Sequence, residues 1–263
     1  MNDLTIVVPL GISTPGTPVV HYLRACLNSL KNQKTSYKYK VVIASDNNVS
    51  EEAMECMLES GFDIQLYEPY YFMRRGGIWK KIYDQWSNFE TKYVAFCHYD
   101  DAWAENKIQS QLDLMEQHNL ELSWSRVQAI NSIGHIVSGD MAHYQQLDRS
   151  SLRRGQSYAF SHSSILKKDA LFATGILDKI EKATAIYEGV QFVYSHKLKG
   201  MKDNNSTFYH RVHQDSVSNQ FHTETEFMKE QRIIANYSLD QVFKDRDEVR
   251  IEEVISEIEK TLS

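Results

Sequence analysis

The chain has 263 residues, 42% hydrophobic and 24% charged, with a net charge of −6. That length can bury a sizeable core in one large domain or two small ones. The acidic balance excludes broad electrostatic attraction to nucleic acid or to anionic lipid, although the pairs Arg74-Arg75 and Lys80-Lys81 suit phosphate locally. Cys26, Cys56 and Cys97 sit inside apolar patterns without metal-ligand spacing and read as buried thiols of a reducing compartment. No apolar run approaches the roughly 20 residues of a membrane span, and no basic segment precedes a signal-like core at the amino terminus. These features predict a cytoplasmic protein without a transmembrane segment, with peripheral membrane association left open.

Leu4-Thr5-Ile6-Val7-Val8-Pro9 reads as a buried first strand stopped by proline. A loop with Gly11, Pro15, Gly16 and Pro18 follows, then Leu23, Cys26, Leu27 and Leu30 at helical spacing. Residues 40–44 form a second strand ending at Asp46, and Ser50 caps a second helix whose first turn holds Glu51 and Glu52. Residues 62–67 predict a third strand and 78–86 a third helix carrying Ile78, Ile82 and Trp86. Three strand–helix alternations before a fourth strand argue for a mostly parallel sheet flanked by helices.

That fourth strand, Tyr93-Val94-Ala95-Phe96, runs into Cys97-His98-Tyr99-Asp100-Asp101-Ala102-Trp103. Adjacent carboxylates after a buried strand stand at its carboxyl end, where open α/β sheets place ligands. Two like charges held together call for a cation, and a divalent metal carrying phosphate fits. The competing reading makes the aspartates caps of the next helix.

Further on, Ile108, Leu112 and Met115 mark a helix, and 127–137 a hairpin turning at Asn131-Ser132-Ile133-Gly134. Residues 141–155 lack periodicity and read as a mobile loop, 159–166 as a strand, 168–172 as a short helix and 186–198 as a longer one. Residues 209–216 are a dense polar run. From 223 onward the chain reads as helical, and the stripe Ile251, Val254, Ile255, Ile258, Leu262 either packs on the domain or pairs two subunits as a homodimer.

In order, several short segments resemble the inverting nucleotide-sugar glycosyltransferases of family two, with the GT-A fold. They are Thr5 to Pro9 with Tyr22-Leu23, Leu27-Asn28-Ser29-Leu30 and Gln33; Val41-Val42-Ile43-Ala44-Ser45-Asp46-Asn47; and Phe96 to Trp103, standing where the family has Asp-x-Asp-Asp. His162-Ser163-Ser164, Gly175-Ile176-Leu177-Asp178 with Tyr187-Glu188, and Tyr209 to Ser218 continue the match. It covers roughly residues 4–218. The implied fold class is α/β, with a GT-A domain over 1–220 (nucleotide-binding half about 1–104, acceptor half about 105–220) and a helical extension over 221–263.

The resemblance implies transfer of a sugar, with inversion, from a nucleotide diphosphate such as a UDP-sugar to a glycan or lipid-linked acceptor. Pro9 and Asp46 would hold base and ribose, although Asp46 reads equally as an Asx-turn residue. His98, Asp100 and Asp101 would face the donor, with Arg75, Lys81 and Arg211 adding charge beside the diphosphate. Mn²⁺ or Mg²⁺ would sit on Asp100 and His213, with His98 as a further candidate. Trp103 and His162 would lie on the acceptor side, with further acceptor contacts from 141–158.

Two departures stand out. His98 replaces the first aspartate of the family segment, and Gly189 follows Glu188 where an aspartate base is usual, leaving Glu188 as the general base. Taken singly, His213 also reads as a surface histidine, Glu188 as a dipole-stabilising helix residue, and His162 as a strand-end residue. Two rival functions remain. A sugar-1-phosphate nucleotidyltransferase lacks support, because the loop after the first strand has glycines but no lysine or arginine. A non-catalytic nucleotide-sugar-binding module is kept open by the two departures.

Overall fold

In a computed structural model, the structure describes residues 2–10, 20–46, 49–67, 82, 85–142, 161–174, 195 and 197–213. Glu188, Arg75, Lys81, Asp178, Glu181, most of the 141–158 loop, most of the predicted helix over 186–198 and the tail from 221 lie outside the described residues.

The apolar runs become strands because each buries both faces. Strand β1 (Asn2–Leu10) pairs in parallel with β2 (Tyr39–Asp46) and β4 (Thr91–Phe96), and β2 with β3 (Asp63–Tyr67). Leu4, Ile6, Val7, Val8, Val42, Ile43, Val94 and Phe96 are wholly buried there, as a parallel sheet covered on both sides requires. Helix α1 (Val20–Lys31) packs its stripe of Tyr22, Leu23, Cys26, Leu27 and Leu30 onto this sheet. Helix α2 (Glu51–Ser60) begins where Ser50 Oγ accepts from the Ala53 N–H at 3.3 Å. It ends at Gly61, whose φ of 73° is the left-handed conformation glycine adopts without strain. Ile82 and Trp86 are buried, as the helical spacing expects, and Trp86 lies against Phe96 with ring centres 4.3 Å apart.

The second half of the sheet is mixed. Its elements are β5 (Ala102–Trp103), helix α3 (Lys107–His118), β6 (Leu122–Ile130), β7 (Ile136–Asp140), β8 (Ser164–Lys167), helix α4 (Lys168–Ala173) and β9 (Gly200–Arg211). The nine strands run β3-β2-β1-β4-β8-β6-β9-β5, with β7 pairing β6 as the expected hairpin. Strand β8 is antiparallel to both β4 and β6 and joins the two halves.

One expectation is corrected, and one stretch left without an element is placed. The predicted strand over 159–166 begins only at Ser164; Ser161-His162-Ser163 form a helical turn, consistent with serine's preference for local backbone hydrogen bonds. The polar run at 209 is the end of a twelve-residue strand, β9, running parallel to β6. Gly200 opens it because a Cβ there would fall 2.7 Å from Leu122 Cγ. The register slips between Ser125 and Arg126, whose partners are Asp203 and Thr207.

The registers put the ends of β1, β2 and β4 on one rim: Pro9 faces Ala44, Asp46 faces Tyr67, and the Cys97 N–H donates to Val7 O at 3.0 Å. The segment that leaves β4 at this rim carries His98, Asp100 and Asp101.

Candidate active site

The β4–β5 segment and the end of β9 meet edge to edge, since Ala102 pairs Tyr209 and Trp103 pairs Phe208. This pairing brings Asp100 and Asp101 against His210, Arg211 and His213. The two carboxylates have different environments. Asp100 Oδ2 lies 3.1 Å from His213 Nε2, and the aspartate side chain stays 18% exposed on the rim. Asp101 is buried, and its Oδ1 accepts from the Arg211 backbone N–H at 2.9 Å and lies 3.2 Å from His210 Nδ1. Its Oδ2 is 3.7 Å from His162 Nδ1. Asp101 does not cap α3: that helix starts at Asn106 with no side-chain cap bond.

The charges follow the geometry. Burial opposes ionisation of Asp100, but the hydrogen bond with His213 and the imidazoles of His98 and His210 bring its carboxyl below the ordinary range. Burial, reinforced by the Asp100 charge, pushes the Asp101 carboxyl up. Burial drives His162 well below its ordinary value, helped by His98 and His210, and lowers His98 as well. For His210 burial is outweighed by Asp101, so its imidazole is raised.

His98 and His162 stack with ring centres 3.7 Å apart at 34°. With Asp101 they form a group whose ligand atoms all lie within 4.8 Å of one another. His162 is thus held among His98, Asp101 and Phe208, its ring centre 6.1 Å from that of Phe208. Trp103 is 3% exposed, with the Lys107 ammonium 4.3 Å above its ring. Both predicted acceptor-side residues therefore lie beneath the rim segment.

Arg211 is a clamp. Its Nε donates to Asp100 O at 2.7 Å and its Nη1 to Asn131 O and Ser132 O at 3.0 and 3.2 Å, while its Cζ lies 4.7 Å from the Tyr22 ring centre. One guanidinium thereby fixes the Asp100 backbone to the turn of the β6–β7 hairpin. Beneath these groups Lys107, fully buried in the first turn of α3, donates to Gln111 Oε1 and to Ser163 O, the latter at 2.8 Å. Burial brings its amine from 10.5 down to about 7. Gln111 Nε2 in turn donates to Ser123 O at 2.9 Å.

Of the residues singled out in the sequence, His98, Asp100, Asp101, His162, Arg211 and His213 converge. Pro9 and Asp46 occupy the neighbouring strand ends. Sequence reasoning passed over His210 and Lys107. Lys107 opens a helix whose apolar stripe gives no sign that a lysine beside it is buried, and only the dense polar run around 209 pointed toward His210.

An α/β sheet with this order and an acidic segment leaving its fourth strand defines a GT-A glycosyltransferase. The chain belongs to glycosyl transferase family 2, whose profile matches residues 19–173. In structure it is similar to TarS of S. aureus, residues 1–349 in complex with UDP-GlcNAc, at a TM-score of 0.61 and 14% identity. That match covers 97% of this chain and 71% of the other. The same TarS fragment in complex with UDP gives a TM-score of 0.60 at 15% identity, covering 97% of this chain and 70% of that one. The longer TarS structure gives 0.58 at 15%, covering 97% and 42%. No curated protein matches the sequence. Among the described residues no helix is long and apolar enough to cross a membrane.

Proposed function

We propose that the protein transfers a sugar from a UDP-sugar to a hydroxyl acceptor on a glycan or lipid carrier, with inversion and with the help of a divalent cation. The observation that carries this reading is the Asp100 Oδ2–His213 Nε2 pair, 3.1 Å apart at the strand-end rim. Adjacent ligands about 2.1 Å from an octahedral ion stand about 3 Å apart, so this pair fits a shared Mn²⁺ or Mg²⁺, and imidazole beside carboxylate suits Mn²⁺. The trio of His98, Asp101 and His162 fits less well. Its imidazoles stack on each other with ring centres 3.7 Å apart, and Asp101 Oδ1 is already engaged by the Arg211 N–H and by His210 Nδ1. Asp100 and His213 would hold the cation, which would supply Lewis-acid neutralisation of charge on the diphosphate.

The chain's own residues supply the rest of the chemistry. Pro9 and Asp46 hold base and ribose at the ends of β1 and β2, and His98 borders the same pocket from the end of β4. Asp101 and Arg211 keep Asp100 and the hairpin turn in fixed relation. Arg75 and Lys81 add positive charge beside the diphosphate. Glu188 takes the proton from the acceptor hydroxyl; that oxygen bonds to the anomeric carbon as the bond from carbon to diphosphate oxygen breaks. We divide the chain accordingly into a donor half (about 1–104), an acceptor half (about 105–220) and an extension (221–263).

The test is a thermal-shift screen of nucleotide sugars with and without Mn²⁺, followed by transfer or hydrolysis assays on the best ligand. UDP-sugars should raise the unfolding midpoint only when Mn²⁺ is present, and turnover should stop in EDTA. Binding without any turnover would identify a nucleotide-sugar-binding module instead, and stabilisation that ignores Mn²⁺ would overturn the metal role.

A further inference from the structure

We infer that Tyr22 is a positioning residue for this site: its ring fixes the plane of the His213 imidazole and the seat of the Arg211 guanidinium, and so holds the Asp100–His213 pair ready for a cation. The inference rests on the reading of that pair given above.

Tyr22 stands in the first turn of α1 and is 5% exposed. Its ring centre is 4.8 Å from that of His213, at 46°, and 4.7 Å from Arg211 Cζ. His213 and Arg211 flank the two functions of Asp100, since one meets its carboxylate and the other its backbone carbonyl. One aromatic ring therefore neighbours both groups that locate Asp100. An aliphatic side chain would fill the volume but lacks the flat, electron-rich face that orients an imidazole and attracts a guanidinium.

Helix α1 is itself registered against the same segment. Cys26 Sγ donates to His98 O at 3.2 Å, and Ser29 Oγ accepts from the Trp103 N–H at 3.1 Å. Residues 22, 26 and 29 lie on one helical face at four- and three-residue spacing. That face touches the beginning of the β4–β5 segment, its end, and the histidine that closes over it. A helix fixed at two points presents the third, Tyr22, at a defined height. Groups that orient a metal-ligating histidine typically govern metal affinity by about 10–100-fold.

The test measures Mn²⁺ binding to the protein alone by electron paramagnetic resonance of the unbound ion, with the unfolding midpoint recorded on the same samples. Wild type and Tyr22→Phe should bind Mn²⁺ alike, because the ring is kept. Tyr22→Leu should weaken binding about tenfold or more, and Tyr22→Met, whose flexible chain packs where leucine does not, should do the same if the leucine variant fails to fold. If either folded aliphatic variant binds Mn²⁺ as wild type does while only the midpoint falls, Tyr22 is a packing residue and the inference is overturned. Loss of binding in Tyr22→Phe equal to that in Tyr22→Leu would overturn it too, by assigning the effect to the hydroxyl. Failure of wild type to bind Mn²⁺ would instead sink the reading of the Asp100–His213 pair.

Discussion

Strands β1 and β4 bury Leu4, Ile6, Val7, Val8, Val94 and Phe96, whereas β9, the segment facing it and the turn before β8 bury Lys202, Asp203, Ser206, Arg211, Asp101 and His162. In the first half burial is favourable in itself, at about 25 cal/mol per Å² of apolar surface, and any apolar residue of fitting size serves. In the second half each buried polar group demands a particular partner. Lys202 Nζ donates to Asp140 Oδ2 at 2.5 Å, Ser206 Oγ to Asp203 Oδ2 at 2.5 Å, and Arg211 to three carbonyls. The parallel half thus supplies a platform, and the mixed half spends stability on fixing directions. The proposed site, which would aim lone pairs at a cation, lies where directions are fixed.

The largest effect should come from the acceptor half. Glu188→Gln keeps size and hydrogen bonding, so turnover should fall by about two to four orders of magnitude. Donor affinity and unfolding midpoint should stay nearly unchanged. Near-normal turnover would move the base to Asp178 or Glu181.

A matched pair of truncations tests the contrast between the halves directly. Leu4→Ala, in the platform, should cost about 2–5 kcal/mol of stability while the folded fraction keeps its donor affinity. Asp101→Ala should cost about 3–5 kcal/mol, because it strands the Arg211 N–H and His210, and should weaken donor binding as well. Equal donor affinity in both variants, measured by titration well below their midpoints, would erase the distinction.

Lys107 gives a smaller effect with a definite sign. Its amine titrates at about 7 in the folded protein against an ordinary 10.5. Between those pH values the unfolded chain holds a proton that the folded chain lacks, so stability rises with pH across the window. The Lys107 contribution has a slope of up to about 1.4 kcal/mol per pH unit. Urea unfolding of wild type and Lys107→Met from pH 7 to 10 should show this slope in the first and its loss in the second; parallel curves would contradict it. Smallest of all, Ser50→Ala should remove the α2 cap at a cost of about 1 kcal/mol and leave turnover alone.

The same contrast explains what could be read from the chain. Apolar runs at 4–9, 40–44 and 93–96 announced β1, β2 and β4, and Ser50 announced its helix, because alternation and capping are local signals. Strand β9 was invisible: Lys202, Asp203 and Ser206 carry no apolar pattern, and only partners such as Asp140 for Lys202 make their burial tolerable. The carboxylate pair was legible as a site, but the division of labour within it was not. Asp100 stays at the rim and Asp101 goes under because β9 arrives beside Asp101 with the Arg211 N–H and His210, and nothing near residue 101 reports that arrival. His162 was legible as a residue of interest, yet its seat among His98 and Asp101 comes from a helical turn held by Lys107, some 56 residues away in sequence.

On the proposed function, Asp100, at the open edge of this polar half, would be where a cation meets the donor's diphosphate. Calorimetric titration of UDP into wild type and Asp100→Asn, each in Mn²⁺ and in EDTA, tests it most directly. The account predicts binding to wild type in Mn²⁺ and a loss of tenfold or more, on the order seen when metal sites are disturbed, in EDTA and in the variant under either condition. UDP binding to Asp100→Asn at wild-type affinity, or binding to wild type that ignores EDTA, would contradict it.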